Sequence, residues 1–476
     1  MRHRFPLLLV TLLAGCAVGP DYERPAVAVP TAYKEATGAW KPAEPRDEAL
    51  RGKWWTVYGD AELNALVDLV AIDNQNVKQA EAQFRQANAA LDAARAGFWP
   101  TIGAGVSSAR GRNASATSTT GGTTASGIRE TDKATLSASW EADVWGRIRR
   151  SVESGDASAA ASAADLQAAL LSAQATLVQT WFQWRANARQ RQLLDNTVAA
   201  YRRSLEITRN RFDSGVAGRV DVVQAESQLK STEAQAAELR LSGAQLEHAI
   251  ALLVGKAPAD LKLPLAMPDG KAAALPPLPA IPPQLPSTLL ERRPDIAGAE
   301  RRAAAANAQI GVAQSAFFPA LTFAASGGYQ NSAFSHLISA PNRFWSLGPA
   351  LALTLFDAGA RSAQKAQAVA AYDKSVAAYR QTVLTAFQEV EDNLAALRIL
   401  GEEEEYQRTA TAAAAETLRL TDNQYQSGTV SYLNVVVAQA TALSAERNLL
   451  DVQNRRLVAS VALLKALGGG WAGESK

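Results

Sequence analysis

Residues 204–227 read SLEITRNRFDSGVAGRVDVVQAES, and a similar segment, TLRLTDNQYQSGTVSYLNVVVAQA, occurs later in the chain at residues 417–440. This internal repeat decides the fold. The two copies align without a gap, so that Gly215 of the first matches Gly428 of the second. Alanine-rich helices can resemble each other by chance. Matching glycine and asparagine positions make internal duplication the better account.

The repeat extends upstream and divides the chain into halves. In a second alignment with a slightly longer shift, the Phe-Trp-Pro that ends at Pro100 matches the Phe-Phe-Pro that ends at Pro319. Ten of the 20 prolines fall within residues 258–294, and none lies between Pro100 and Pro258. Because proline breaks helix interiors, this distribution predicts two helical halves joined by an irregular connector.

The apolar spacing around the repeated segment is that of a coiled coil. Steps of four and three residues connect the apolar positions in residues 194–212 and again in residues 369–383. The proline-free residues 147–213 and 358–427 would extend roughly 90 to 105 Å as single helices, at a rise of 1.5 Å per residue. Helices of this length are rods, unlike those of a compact globule.

Upstream of each rod the apolar period drops to two, which is typical of strands with one apolar face. Four segments show this alternation: residues 101–110, 133–144, 321–329 and 345–355. We therefore predict one β-hairpin in each half, at about 101–144 and about 319–356. Aromatic residues near the strand ends favour a membrane interface, although a soluble sheet with one solvent face shows the same alternation.

The N-terminus resembles a bacterial lipoprotein signal. Residues 1–15 contain a basic start, an apolar stretch and small residues, and Cys16 follows in the place where a lipobox cysteine is acylated. Residue 17 is alanine and not the aspartate that usually retains such lipoproteins in the inner membrane. The alternative is an ordinary secretory signal that precedes a cysteine by coincidence.

The composition argues against several classes of function. Lys and Arg number 48 against 46 Asp and Glu, so no nucleic-acid partner is expected. The three histidines and one cysteine are widely scattered, and no phosphate-binding glycine loop is present, so we expect no metal, no cofactor and no enzyme activity. The acidic run at residues 402–405 predicts a solvated helix face. No stretch after the N-terminal segment has 18 uninterrupted apolar residues, so no transmembrane helix is predicted.

Four strands are too few to close a barrel, because about eight is the smallest number that does so. A dimer would supply eight strands and a lumen filled by side chains. A trimer would supply 12 strands and an aqueous passage. Strand counting alone leaves both assemblies open.

With these segments in place, the chain is similar to the TolC-like outer-membrane efflux family, in its lipoprotein (NodT-type) branch. The similarity runs from Cys16 to about Gly470 and includes residues 54–60, WWTVYGD. Its strongest motif is LLERRPDI at residues 289–296, which matches the family's L-L-x-x-R-P-D-I/V. The resemblance implies a mainly α fold with membrane β-structure: a duplicated half-repeat with four β-strands and long coiled-coil helices per protomer, forming a homotrimeric 12-stranded β-barrel on an α-helical barrel.

The implied organisation has six parts. They are a signal peptide (1–15), a lipid-anchored extended segment (16–60), a first repeat (61–257), a Pro-rich linker (258–286), a second repeat (287–470) and a C-terminal tail (471–476). Each repeat is expected to contain a helical hairpin, at residues 147–254 and 358–467.

The implied function is the exit duct of a tripartite efflux pump, which passively conducts drugs or other small molecules. The implied partners are a periplasmic membrane-fusion adaptor protein, an inner-membrane pump of the RND type and outer-membrane lipid. Two alternatives remain: a surface lipoprotein with a coiled-coil stalk, which would not require amphipathic hairpins, and a passive porin, which would not carry such rods. The pump largely selects the substrate, so this chain does not identify it.

The resemblance also assigns residues at the periplasmic tip. The adaptor-docking turns are expected to contain Gly215, Val216, Gly428 and Thr429. The pore constriction is expected just after the second turn, at Leu433, Asn434 and Val437. The family often has acidic residues at these positions, whereas this chain has Leu, Asn and Val. The sequence therefore predicts an apolar constriction in place of a strongly cation-selective ring.

A gate latch is implied between the hydroxyl of Tyr425 and the carboxylate of Asp221 on the other hairpin. The alternative is that Tyr425 is only a seam residue equivalent to Phe212.

If Cys16 is acylated, radiolabelled palmitate should enter the wild-type protein and not a Cys16→Ser variant. Membrane insertion should survive the substitution, because the strands bury far more apolar surface than the acyl chains do. Equal labelling of the two proteins would contradict the lipobox.

Overall fold

The computed structural model describes residues 18–27, 34, 52–112, 128–263, 275–279 and 293–469. The chain forms two compact units. The first comprises the described parts of Met1–Ala26, Phe84–Ser162 and Ala299–Tyr379, and the second those of Val27–Gln83, Ala163–Gly298 and Arg380–Lys476.

Helices account for most of the described residues. They are α1 (Ala61–Asp73), α2 (Gln75–Ala96), α3 (Arg147–Asp213), α4 (Arg219–Leu253), α5 (Pro294–Ser315), α6 (Ala360–Gln426) and α7 (Tyr432–Ala466). Within the part of the chain that the structure describes, no helix is both long enough and apolar enough to cross a bilayer.

The helix bounds confirm the duplication. Both α3 and α6 contain 67 residues, both α4 and α7 contain 35, and each pair begins at positions that the alignment of residue 204 with residue 417 matches. Helices α2 and α5 contain 22 residues each and begin at positions that the alignment of Pro100 with Pro319 matches. The two alignments found in the sequence therefore belong to different helices, and the shift changes in the segment between α2 or α5 and the long helix that follows.

The first unit contains one antiparallel sheet of four strands in the order β1-β2-β3-β4. The strands are β1 (Thr101–Arg112), β2 (Ile128–Ala142), β3 (Ala320–Asn331) and β4 (Arg343–Ala352). The two predicted hairpins are present, and they pair with each other through β2 and β3. Strands β1 and β4 are consequently the two edges of the sheet.

The register gives the sheet one apolar and one polar face, because successive side chains of a strand point to opposite faces. One row across the four strands is Ile102, Ala138, Ala325 and Leu347, and the next row, on the opposite face, is Gly103, Ser137, Ser326 and Ser346. Apolar and polar side chains alternate along the strands, and the register places the apolar ones of all four strands on the same face, as the period of two predicted.

Strand β4 ends earlier than the alternation in the sequence predicts. Its last residue, Ala352, pairs with Ala320, the first residue of β3, so no partner remains for residues beyond it. Leu355 and Phe356 lie outside the sheet and are exposed. Asp357 then accepts a hydrogen bond from the backbone N–H of Arg361, 3.2 Å away, at the start of α6.

The second unit is built around aromatic residues that precede α1. Trp54 and Trp55 are buried in a core with Trp181 and Phe182 of α3. The carboxylate of Asp60 accepts hydrogen bonds from the backbone at the start of α1, from the indole of Trp181 at 2.9 Å and from Arg185. The WWTVYGD motif thus joins the start of the first repeat to the middle of a long helix.

The acidic run at residues 402–405 is exposed as predicted except at Glu404: the side chains of Glu402, Glu403 and Glu405 are 60%, 43% and 65% exposed. Glu404 is buried, and its carboxylate binds Arg408 at 2.8 Å and Arg456 of α7. Burial alone would raise the pKa of Glu404, but hydrogen bonds from Arg456 and Gln453 outweigh burial and lower the pKa. The carboxylate is therefore held ionised between two helices.

The Arg-Pro-Asp part of the LLERRPDI motif lies where α5 begins. Arg293 is 8% exposed and pairs with Asp295 at 2.7 Å and with Glu389 of α6 at 2.6 Å. It also donates to the carbonyl of Ala466 at the end of α7, at 3.2 Å. One guanidinium therefore fixes three helix segments of the second unit.

We expect Arg293→Met to lower the free energy of unfolding by about 2 to 4 kcal/mol, because it leaves two carboxylates and a buried carbonyl without their partner. The matched control is Arg419→Met, whose pair with Glu416 is exposed and screened by water, so that its loss should leave stability nearly unchanged. Urea unfolding followed by circular dichroism measures both, and equal midpoints for the two variants would contradict the role of Arg293.

Candidate functional site

Two helix-turn-helix junctions in the second unit contain most of the predicted site residues. In the first, Gly215 has φ +74°, its N–H donates to the carbonyl of Phe212 at 2.9 Å, and the N–H of Val216 donates to the carbonyl of Arg211 at 2.8 Å. This is a Schellman motif, which ends a helix on a left-handed residue and favours glycine there.

The second junction repeats the same geometry. Gly428 also has φ +74°, its N–H donates to the carbonyl of Tyr425 at 3.0 Å, and the N–H of Thr429 donates to the carbonyl of Gln424 at 2.9 Å. The predicted docking residues Gly215, Val216, Gly428 and Thr429 are exposed in both turns. The structure therefore presents two similar exposed turns, each closed by backbone hydrogen bonds.

A small apolar cluster packs the two hairpins together below the turns. Its buried members are Val198, Tyr201, Leu205, Ala225, Leu229, Tyr432 and Val435. They come from α3, α4 and α7, so the first hairpin contacts the second through the start of α7. The cluster makes the two junctions parts of one packed end of the second unit.

Tyr432 is a buried residue with a polar group that sequence reasoning missed at this end. Its hydroxyl lies 2.9 Å from the hydroxyl of Ser204 on α3, and burial raises the pKa of Tyr432. The centre of its ring lies 5.4 Å from the centre of the Tyr425 ring. The guanidinium of Arg211 lies over the Tyr425 ring, 4.6 Å from its centre. No repeat signal marks Tyr432, because the matching residue of the first half is Arg219.

The predicted latch between Tyr425 and Asp221 is not formed. Among the described residues, the hydroxyl of Tyr425 is buried without a hydrogen-bond partner. The carboxylate of Asp221 instead accepts the backbone N–H of Gly218 at 3.1 Å and caps α4. In this structure Tyr425 contributes its ring to the seam, which is the alternative role, and Asp221 stabilises the helix N-terminus.

The predicted constriction residues lie together on one face of α7. Leu433 and Val437 are 51% and 57% exposed, and Asn434 beside them is exposed as well. Tyr432 and Val435, on the opposite face, are buried. Exposed leucine and valine one helical turn apart form an apolar stripe beside the turn, with no acidic side chain among the three predicted residues.

Cys16 lies outside the described residues, but the segment that follows it is fixed to the first unit. The N–H of Val18 donates to the carbonyl of Trp145 at 3.1 Å. Arg150 binds the carboxylate of Asp21 at 2.8 Å, and Asn307 donates to the carbonyl of Pro20 at 3.0 Å. The chain two residues after Cys16 is thus attached beside the end of β2.

Comparison with known proteins places this geometry in context. The sequence profile of the family described as "Outer membrane efflux protein" matches residues 66–256 and 285–469. The probable efflux pump outer membrane protein TtgC of Pseudomonas putida is 31% identical over 463 residues, covering 97% of this chain and 94% of that protein. Outer membrane protein OprJ of Pseudomonas aeruginosa is 31% identical over 466 residues, covering 98% and 95%. The solved outer-membrane channel OprN superposes with a TM-score of 0.84 at 29% identity, covering 96% of this chain and all of that one.

The contacts of the two tyrosines predict different effects of removing each hydroxyl on stability. Tyr432→Phe should lower the free energy of unfolding by about 1 kcal/mol, because it leaves the Ser204 hydroxyl without its partner. Tyr425→Phe is the matched control and should leave stability unchanged or slightly raised, since its hydroxyl has no partner to lose. Thermal unfolding compares them, and a cost for Tyr425→Phe equal to that for Tyr432→Phe would reveal a latch in the assembled protein.

Proposed function

The chain belongs to the outer membrane efflux protein family and is an outer-membrane channel of the tripartite efflux type; from that premise we propose that three copies assemble into one exit duct for small molecules. One observation carries the proposal. The four-stranded sheet has an apolar face exposed to its surroundings and two edge strands that have a neighbour on one side only within the described residues.

The apolar face has nearly the height of the hydrocarbon layer. Alternate residues of β2 from Ala142 to Ala134 are apolar, a length of about 27 Å along the strand. At the usual tilt of about 35–45° this length spans about 19 to 22 Å of height, close to the apolar band of about 25 Å that outer-membrane barrels carry. Ile102 and Leu347 on this face are each 71% exposed. Outer-membrane lipid is the partner that removes such a surface from water.

The edge strands support the trimer. Backbone groups at the edges of β1 and β4 need partners inside a membrane, and further copies of the same sheet supply them. Two copies give eight strands, whose interior is filled by side chains, whereas three copies give 12 strands around an aqueous passage. A conduit requires the passage, so the proposed assembly is a homotrimer with the polar face of each sheet turned inwards.

The two turns are the proposed docking site of a periplasmic adaptor. Their shared Schellman geometry presents Val216 and Thr429 beside Gly215 and Gly428, and an adaptor built to recognise one turn could use the other as well. An inner-membrane pump of the RND type supplies the energy in this scheme. The apolar stripe of Leu433 and Val437, with Asn434 beside it, lies next to the second turn and is the proposed constriction.

The proposed acylation of Cys16 fits the attachment of the segment after it. Val18 is bonded at the end of β2, where Trp145 stacks on Phe318 with 4.8 Å between ring centroids. Aromatic pairs of this kind lie at membrane interfaces in outer-membrane proteins. Two residues span at most about 7 Å, so acyl chains on Cys16 would start close to the strand ends.

Conductance in planar lipid bilayers tests the function. The wild-type protein should form channels, and Leu433→Ala should raise the single-channel conductance, because a smaller side chain widens an apolar constriction. Leu252→Ala is the control, since Leu252 is also an exposed leucine but lies at the opposite end of α4 from the turn. A wild-type protein without conductance would contradict the channel, and equal conductance of Leu433→Ala and wild type would contradict the constriction.

A further inference from the structure

The charged residues of the sheet are concentrated at one end. The four strands contain five cationic residues in the part nearest the hairpin loops, namely Arg110, Arg112, Arg129, Lys133 and Arg343. The acidic residues of that part are Glu130 and Asp132. The sequences of the connecting segments, residues 113–127 and 332–342, contain no Asp, Glu, Lys or Arg. The loop end of the sheet is therefore net positive.

The register separates these charges between the two faces. Glu130 and Asp132 occupy even positions of β2, on the same side as Ala134 and Leu136 of the apolar face. Arg129 and Lys133 occupy odd positions, on the side of the serine and threonine residues. At the loop end, the polar face thus carries two cations from β2 and none of the strands' carboxylates.

The remaining acidic residue of the polar face is neutralised locally. Glu141 lies at the opposite end of β2 and accepts two hydrogen bonds from Arg147, at 2.8 and 2.7 Å. Between Glu141 and Lys133 the polar face of β2 presents only Ser139, Ser137 and Thr135. The electrostatic character of this face is therefore determined by its cationic end.

The position of Lys133 is supported by a ring two strands away. Its ammonium lies 4.8 Å from the centre of the Phe344 ring on β4. Gly328 of β3, which pairs with Phe344, has no side chain to block the ammonium's approach to the ring. The attraction between a cation and an aromatic face restrains the long lysine side chain at this position.

We propose that Lys133, held over Phe344 and assisted by Arg129, makes the outer exit of the assembled duct selective for anionic solutes. The inference rests on the proposed function, because it requires the polar face to line a water-filled passage. Three copies would place three such cation pairs around one opening. Rings of lysine or arginine favour anions in pores, as rings of carboxylates favour cations. The solutes favoured at this exit are small organic anions, whichever pump supplies them.

Reversal potentials across bilayers with a KCl gradient test the proposal. The wild-type channel should be more permeable to chloride than to potassium. Lys133→Gln should lower this permeability ratio by about two-fold or more, and Lys133→Glu should lower it further, while Lys133→Arg should retain it. The matched control is Arg110→Gln, which removes the same charge from the opposite face and should leave the ratio near the wild-type value. The control is best measured near 0.1 M salt or above, where the Debye length is about 10 Å or less.

The outcomes distinguish this inference from the function on which it rests. Channels that conduct but show no chloride preference, or that keep it in Lys133→Gln, would overturn the anionic exit and leave the channel intact. An equal loss in Arg110→Gln and Lys133→Gln would also overturn it, because the effect would then follow net charge and not the face. If no protein conducts, the channel and the exit both fail.

Discussion

A four-stranded sheet with one exposed apolar face and two open edges leaves backbone groups without hydrogen-bond partners and apolar side chains exposed. The rest of the structure depends on how these groups are covered. Its edge N–H and C=O groups need partners wherever water is absent, and its apolar side chains need lipid or protein. In the proposed assembly, more copies of the same chain supply the first need and a bilayer supplies the second. The polar face, rich in serine, threonine and glycine, is then left for water, and its few charges acquire a large influence.

Duplication produces the framework, and divergence between the copies makes the two hairpin ends chemically different. Helices of equal length are followed two residues later by glycines with equal φ in both halves, so the two turns have similar backbones. The residues just after them differ: Arg219 in the first half corresponds to the buried Tyr432 in the second, and Asp221 corresponds to Asn434. The same scaffold thus produces a charged, capped helix start in one hairpin and an apolar exposed stripe in the other.

Buried charges fix the helices of the second unit at defined points. Three charged residues each bind a partner on a helix to which they do not themselves belong: Asp60 binds Trp181, Arg293 binds Glu389, and Glu404 binds Arg456. Alanine-rich helices with narrow apolar seams provide little side-chain shape to set their axial position. An ion pair that is hydrogen-bonded and shielded from water costs much to break, so it opposes sliding of one helix along another.

Local pattern was sufficient to predict the two long helices, the hairpins and the glycine turns, because period, proline placement and positive-φ glycine are short-range properties. The family motif at residues 289–296 was equally visible in the sequence, although not the helices that Arg293 joins. Three contacts join residues that are far apart in the chain: the ion pair that buries Glu404, the hydrogen bond between Tyr432 and Ser204, and the cation–π contact of Lys133 with Phe344. Each depends on strand register or helix packing, which periodicity leaves open. The same holds for Tyr425 and Asp221, which in this structure make a seam contact and a helix cap and not the predicted hydrogen bond.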